Sequence, residues 1–242
     1  MKNMINKSVG EIVADDYRLA EIFRSHGIDY CCNGNIPLAQ ACQNKNVEPE
    51  TVVAEIEEMK TRAVSTDMDY QSWPIDLLAD YIEKKHHRYV EEKIPEIRQL
   101  LEKICEVHGE NHPELLEITK LFNTAGGELA KHMKKEELVL FPFIRKMMNA
   151  KAVGEALTTP FFGEVQNPLQ TMIHEHDNEG ERFRKISRLS NGYTPPEDAC
   201  VTFQLTYQAL KEFEEDLHLH VHLENNILFP KTLRLEEELK QR

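Results

Sequence analysis

One short pattern occurs twice in this chain, and no other feature restricts its fold as strongly. His132, Glu136, Leu140, Phe141 and Pro142 read H-x3-E-x3-L-F-P, and His220, Glu224, Leu228, Phe229 and Pro230 repeat it 88 residues later. A histidine precedes each copy at a matching distance: His87 lies 45 residues before His132, and His176 lies 44 before His220. A shared way of kinking a packed helix would account for Leu-Phe-Pro alone. It would not account for the matched histidines and glutamates. Positions i and i+4 of a helix share a face, so each His-Glu pair can grip one site. The chain reads as two similar helix pairs.

The apolar stripes around these residues predict which side chains point inward. Phe122, Ala125, Leu129, His132, Glu136, Val139 and Phe143 follow helical spacing, as do Leu210, Phe213, Leu217, His220, Glu224 and Ile227. His87 continues into Val90, Ile94, Ile97, Leu101 and Ile104, and His176 lies with Leu169, Met172, Ile173 and Phe183. His87, His132, His176 and His220 are therefore expected inside, with Glu83 falling on the same face as His87. His86, His174, His218 and His222 fall on polar faces and are expected in solvent. His26, His108 and His112 lie in loop-like stretches.

Composition narrows the class. The 242 residues carry 42 acidic and 29 basic side chains, a net charge of −13, which argues against a general binder of nucleic acid or anionic membrane. Only 10 Gly and 11 Pro are present, favouring helices. No apolar run is long enough to span a bilayer, and residues 1–15 lack the apolar core of a secretory signal. Five cysteines, in a chain too large to need disulfide staples, fit reduced thiols in a cytoplasm.

The expected fold is all-α. Residues 1–62 form a small helical domain with short helices around Asp15 and Asp16 and a Gly/Asn loop at 26–35. Residues 63–73 lose helical periodicity and read as a linker. Residues 74–242 carry four long helical patterns, at about 74–106, 113–149, 161–191 and 196–239, with short connections. Such a series folds as an up-down-up-down four-helix bundle.

A single inward histidine is more often a satisfied core residue than a ligand. Four of them with two inward glutamates are different, because a buried carboxylate costs several kcal/mol unless paired or bound to a cation. Six ligands exceed the four of a structural zinc. They suit two metal ions, each with two histidines, bridged by two carboxylates, and the mixed donor set suits iron or manganese. Ferritin-like bundles use Glu-x-x-His, whereas His-rich H-x3-E points to the hemerythrin-like class.

The chain resembles the iron–sulfur cluster repair proteins, di-iron proteins for the repair of iron centres. The resemblance rests on Asp29-Tyr30-Cys31-Cys32 followed by Gly34, on His132-Met133-x-Lys135-Glu136-Glu137-x-x-Leu140-Phe141-Pro142, and on Leu223-Glu224-Asn225-Asn226-x-Leu228-Phe229-Pro230. It covers nearly the whole chain. It implies that His87, His132, Glu136, His176, His220 and Glu224 hold two iron ions in a non-haem, oxo- and carboxylate-bridged centre of a hemerythrin-like domain. It further implies a cytoplasmic stress protein that helps restore clusters damaged by oxidants or nitric oxide. Iron donation and binding with reduction of nitric oxide are both open, and only the second would make the protein an enzyme. The implied partners are damaged iron–sulfur proteins, nitric oxide or dioxygen, an electron donor and a second copy in a homodimer. The alternative is a hemerythrin-like carrier or sensor of dioxygen or nitric oxide, which would need extra histidine ligands and no cysteine pair.

Cys31 and Cys32 read either as a thiol pair that contacts a cluster, an iron or a redox protein, or as a structural turn. The resemblance favours the thiol pair. Neighbouring cysteines seldom bridge each other. Cys42, Cys105 and Cys200 sit in helical stripes and are expected to pack, as are Met133, Met147 and Met148.

Overall fold

The computed structural model describes residues 2–61, 68–158 and 160–241. Every regular element among them is helical, with only an isolated bridge between Ser8 and Pro37. The N-terminal unit comprises α1 (Lys2–Ile5), α2 (Val9–Asp15), α3 (Ala20–Ser25), α4 (Leu38–Asn44) and α5 (Pro49–Thr61). Ser8 starts α2 with a capping box: its hydroxyl accepts from the Glu11 amide, and the Glu11 carboxylate accepts from the Ser8 amide. Asp16 then takes extended backbone and caps a 3-10 turn over Tyr17–Leu19, which separates α2 from α3. Residues 62–67 of the expected linker lie outside the described residues. Of the remainder, Tyr70–Ser72 form a 3-10 turn, and the rings of Tyr70 and Trp73 pack on Tyr81 of the bundle.

The bundle is built from α6 (residues 75–108), α7 (residues 114–153), α8 (Gln166–Leu189) and α9 (residues 201–240). α6 packs against α7 and α9, and α7 packs against α8. The ends follow local chemistry. Gly154, with φ of 74°, terminates α7 in the left-handed region. α8 and α9 start about five residues later than periodicity places them. Gly163 turns the chain ahead of α8 with φ of 79°, and Asn191, Gly192 and Tyr193 take positive φ before Pro195 and Pro196.

Three of the four long helices contain a π turn: Ile82–His87 in α6, Glu136–Leu140 in α7 and Glu224–Leu228 in α9. Each adds one residue to the helical ladder. Pro142 and Pro230 sit just beyond two of these turns, in the first turn of the segment that follows, so Leu-Phe-Pro does not end either helix. Past the first π turn the buried face moves to Leu140, Phe141, Ile144 and Met147, and Val139 is half-buried rather than central.

The apolar interior has two parts. One joins the N-terminal unit to the bundle through residues such as Val9, Phe23, Leu38, Val90, Phe122, Phe183 and Phe213. The other gathers Ile75, Ile82, Leu140, Phe141, Met147, Leu169, Leu228 and Phe229. Every bundle helix runs from one to the other. The residues at each crossing are His87, His132 with Glu136, His176, and His220 with Glu224. A polar layer thus divides two apolar cores.

Candidate metal centre

All six expected ligands are buried, with Glu136 and Glu224 fully so. They fall into two sets: His87, Glu136, His220 and Glu224, and His132, Glu136, His176 and Glu224. In each set the ligand atoms lie within 4.8 Å of one another, and both carboxylates belong to both sets. The Nε2 atoms of His87 and His132 stand 3.3 and 3.4 Å from Glu136. Those of His176 and His220 stand 3.1 and 3.2 Å from Glu224. The Nε2 atoms of His132 and His176 face each other at 3.1 Å.

The donor set fits a cation. Both oxygens of Glu136, one oxygen of Glu224 and Nε2 of His87 have no hydrogen-bond partner among the described residues, although all are buried. Orphaned buried carboxylate oxygens are costly without a counter-charge. The two facing imidazole nitrogens share a single proton in a hydrogen bond at this distance, and a cation between them would use both lone pairs. Burial, and next the Glu224 charge, push the Glu136 carboxyl above the ordinary carboxylate range. Burial also opposes the charge on Glu224, but His220 and His176 outweigh it and hold that carboxyl well below the range. Burial opposes a charged His176 as well, yet Glu224 and Glu136 raise it to about 9. For His220 burial prevails, and its value falls to about 4.

Behind the ligands stands a ring of partners. His87 Nδ1 meets Glu137 at 3.0 Å, His132 Nδ1 meets Glu175 at 2.9 Å, and His176 Nδ1 meets Asn225 at 2.8 Å. Such contacts fix the ring and its tautomer and leave Nε2 free for a metal. The sequence reading missed them. Their signal is adjacency, since each partner lies next to a ligand in the chain. The phenylalanines of the repeat shield the site: Phe141 stacks on His87 with centroids 5.6 Å apart, and Phe229 on His176 at 6.0 Å. A cleft of about 460 Å³ between α7 and α8 has His132 and His176 in its wall beside Glu128, Glu175 and Glu179.

Other expectations need correction. His174 is exposed and His218 half-buried, but His86 and His222 are buried. His86 lies in a π turn, which rotates it inward. His222 is covered by Tyr17 and Tyr30 of the N-terminal unit, whose rings lie 5.8 and 5.7 Å away. Glu83 turns aside to pair with Arg145 at 2.6 Å. Ile173 is exposed. Cys42 is buried, as expected, and Cys105 half-buried. Cys200 is exposed, at the start of α9, with its sulfur 3.2 Å from His108 Nε2.

The Cys31-Cys32 loop lies against the metal layer. Asp29 Oδ1 accepts both cysteine amides at 3.0 Å, and Arg184 holds Oδ2 at 2.9 Å. The two thiols are free, with sulfurs 3.7 Å apart. The Cys32 thiol donates to the His176 carbonyl at 3.4 Å, and Asn225 donates to the Cys31 carbonyl at 3.4 Å. Its neighbour Cys32, burial and Asp29 push the Cys31 thiol well up, so it rests protonated. Asp29, Cys31 and Cys32 form a third group able to hold a metal ion.

A helical bundle whose core layer presents buried histidines and glutamates defines a cation-binding class, and comparison with known families agrees. Residues 78–232 match the hemerythrin HHE cation binding domain, and residues 5–60 match ScdA_N, a domain of unknown function (DUF542). Among curated proteins, the chain is 33% identical over 224 residues to the iron–sulfur cluster repair protein ScdA of Staphylococcus haemolyticus, covering 92% of this chain and 96% of that one. It is 33% identical over 231 residues to the iron–sulfur cluster repair protein YtfE of Yersinia pestis, covering 96% and 98%. The chain belongs to this family, in which an ScdA_N unit precedes a hemerythrin HHE domain.

Proposed function

We propose that the protein is a non-haem di-iron protein that restores iron–sulfur clusters damaged by oxidative or nitrosative stress, by donating iron, by binding and reducing nitric oxide, or both. The sharing of Glu136 and Glu224 between two four-residue sets carries this reading, because it provides for two adjacent ions with two histidines each. His87 and His220 would hold one, His132 and His176 the other. Iron bound there supplies redox-active, exchangeable metal. The protein's own groups do the rest. Glu137, Glu175 and Asn225 orient the rings, and Phe141 and Phe229 exclude water. Cys31 and Cys32, one hydrogen bond from His176, are the thiols that would meet iron in transit.

Nitric oxide reduction is the second route, and the same sharing favours it. Coupling two nitric oxides needs two electrons, which a ferrous pair holds. The dioxygen-carrier reading lacks support among the described residues, since neither set contains a third histidine. Among the described residues no helix is long and apolar enough to cross a membrane.

The test is anaerobic reconstitution with ferrous iron, followed by metal analysis and Mössbauer spectroscopy. Two irons per chain in a coupled pair are expected. The loaded protein should then reactivate an oxidant-damaged iron–sulfur enzyme, and Cys31→Ser with Cys32→Ser should slow that transfer without emptying the site. Less than one iron per chain removes the reading. Stopped-flow mixing with nitric oxide decides the second route.

A further inference from the structure

The two halves of the site obey one rule with a single exception, and the exception falls on an unexplained buried histidine. In the first helix pair, His87 Nδ1 is held by Glu137, the residue after Glu136. In the second, His176 Nδ1 is held by Asn225, the residue after Glu224. These two contacts are equivalent under the repeat, whose offset is 88 residues for Glu137 and Asn225 and 89 for His87 and His176. The remaining two ligands should match as well. His132 Nδ1 is held by Glu175, the residue before His176. The counterpart of Glu175 is the residue before His87, which is His86. The ligand it should serve is His220, whose buried Nδ1 has no partner among the described residues.

His86 is placed and equipped for that task. It is fully buried, and its ring lies nearly parallel to that of His220, at 9° with centroids 5.5 Å apart. Its Nδ1 sits 3.0 Å from both carboxylate oxygens of Asp216, which makes Nδ1 the protonated nitrogen. In the neutral ring Nε2 is then an acceptor, and it too is buried with no hydrogen-bond partner among the described residues. Tyr81 closes the other side edge-on, with centroids 5.5 Å apart. With a metal on Nε2 in place of its present contact to Glu224, His220 carries its proton on Nδ1, and the two orphan nitrogens are then complementary and satisfied together.

We infer that His86, fixed by Asp216, is the positioning residue of His220, accepting from its Nδ1–H directly or through one water when the site holds metal. Where the other pair uses a carboxylate, this one uses a carboxylate relayed through an imidazole. The inference rests on the metal-site reading above. His86 is not a ligand; it acts through His220.

The experiment loads wild type, His86→Gln and His86→Leu with ferrous iron and follows two readouts. One is the rate of iron loss to an external chelator. The other is the proton NMR spectrum of the loaded protein, in which the Nδ1–H of each of the four ligand histidines gives a shifted, exchangeable signal. His86→Leu should lose iron about ten-fold faster or more, the usual effect of removing such a partner. One of the four signals should vanish by exchange with solvent. His86→Gln, whose amide oxygen can accept, should restore both. Should His86→Leu fail to fold, Asp216→Ala keeps both rings and frees the His86 tautomer, and the same signal should exchange faster. Wild-type release rates and four intact signals in the Leu variant, or unchanged exchange in Asp216→Ala, overturn the inference and leave the metal reading standing. Wild type that takes up no iron overturns both.

Discussion

The two glutamates shared by both halves of the candidate centre are chemically alike and energetically opposite. Glu136 has orphaned oxygens and a carboxyl pushed up by burial, while Glu224 is held in its charged form by His220 and His176. The metal-free protein should therefore respond to their neutralisation with opposite signs. Glu136→Gln removes a cost and should raise the melting temperature of the metal-free chain by a few degrees, about 2–4 °C per kcal/mol in a chain of this size. Glu224→Gln strips the histidines of their counter-charge and should lower it. Both should abolish paired iron. Calorimetry with metal analysis checks the set, and equal shifts from both variants would refute the asymmetry. Glu214 offers a separate test. Burial pushes its carboxyl up to about 7 from an ordinary 4.5. Between those values the folded chain keeps a proton that the unfolded chain has released, so this group lowers stability as pH rises through the interval. Glu214→Gln should match wild type near pH 4.5 and exceed it by up to about 3 kcal/mol at pH 8, read from metal-free denaturant curves. At this scale the sequence showed which six side chains gather in the buried layer, because identity and spacing repeat. It was poor on their supports. His86 and His222 looked solvated on a bare helix, and only a π turn and a second unit bury them.

At the scale of elements, the helices are read from periodicity and the deviations are not. The stripe through Glu136 runs on to Val139 only if the helix stays regular; the added residue of the π turn brings Leu140 and Phe141 inward in its place, while Phe143 is buried as expected. Each affected helix carries its π turn at the polar layer. Docking of the N-terminal loop was equally hidden, since it depends on contacts between residues more than 140 positions apart, such as Cys32 with His176. Gly180 makes that approach tolerable, because a Cβ there would lie 2.8 Å from the Cys32 sulfur. Gly180→Ala should push the loop outward. Alkylation of the buried Cys31 by iodoacetamide should become several-fold faster, with iron content preserved. An unchanged rate would show that the loop yields without leaving.

For the whole molecule, the division of the interior into two apolar cores means that the layer between them decides how they cooperate. An empty layer holds crowded nitrogens and orphaned oxygens, whereas a filled one joins four helices through shared ligands. Metal that binds only the folded chain stabilises it by mass action, by about 2.7 kcal/mol at a free concentration 100 times the dissociation constant. Hydrogen exchange should show where that gain is felt. Protection is expected to rise on loading in the four helices at the layer and also at residues 29–33, which supply none of the six expected ligands but hydrogen-bond to the His176 backbone. Loading that protects the helices and leaves residues 29–33 unchanged would mean that the two units respond independently.

Asn225 takes part in that connection with both ends of one amide: its oxygen faces His176 Nδ1 and its nitrogen reaches the Cys31 carbonyl. A side chain that serves two masters makes their equilibria mutual. If filling the metal layer tightens the cysteine loop by some factor, then anything that grips the loop must alter the hold on metal by the same factor. A client protein that pulled Cys31 and Cys32 away from Asn225 would loosen His176 by docking. Release of cargo would then be governed by the recipient's arrival, with no separate signal needed.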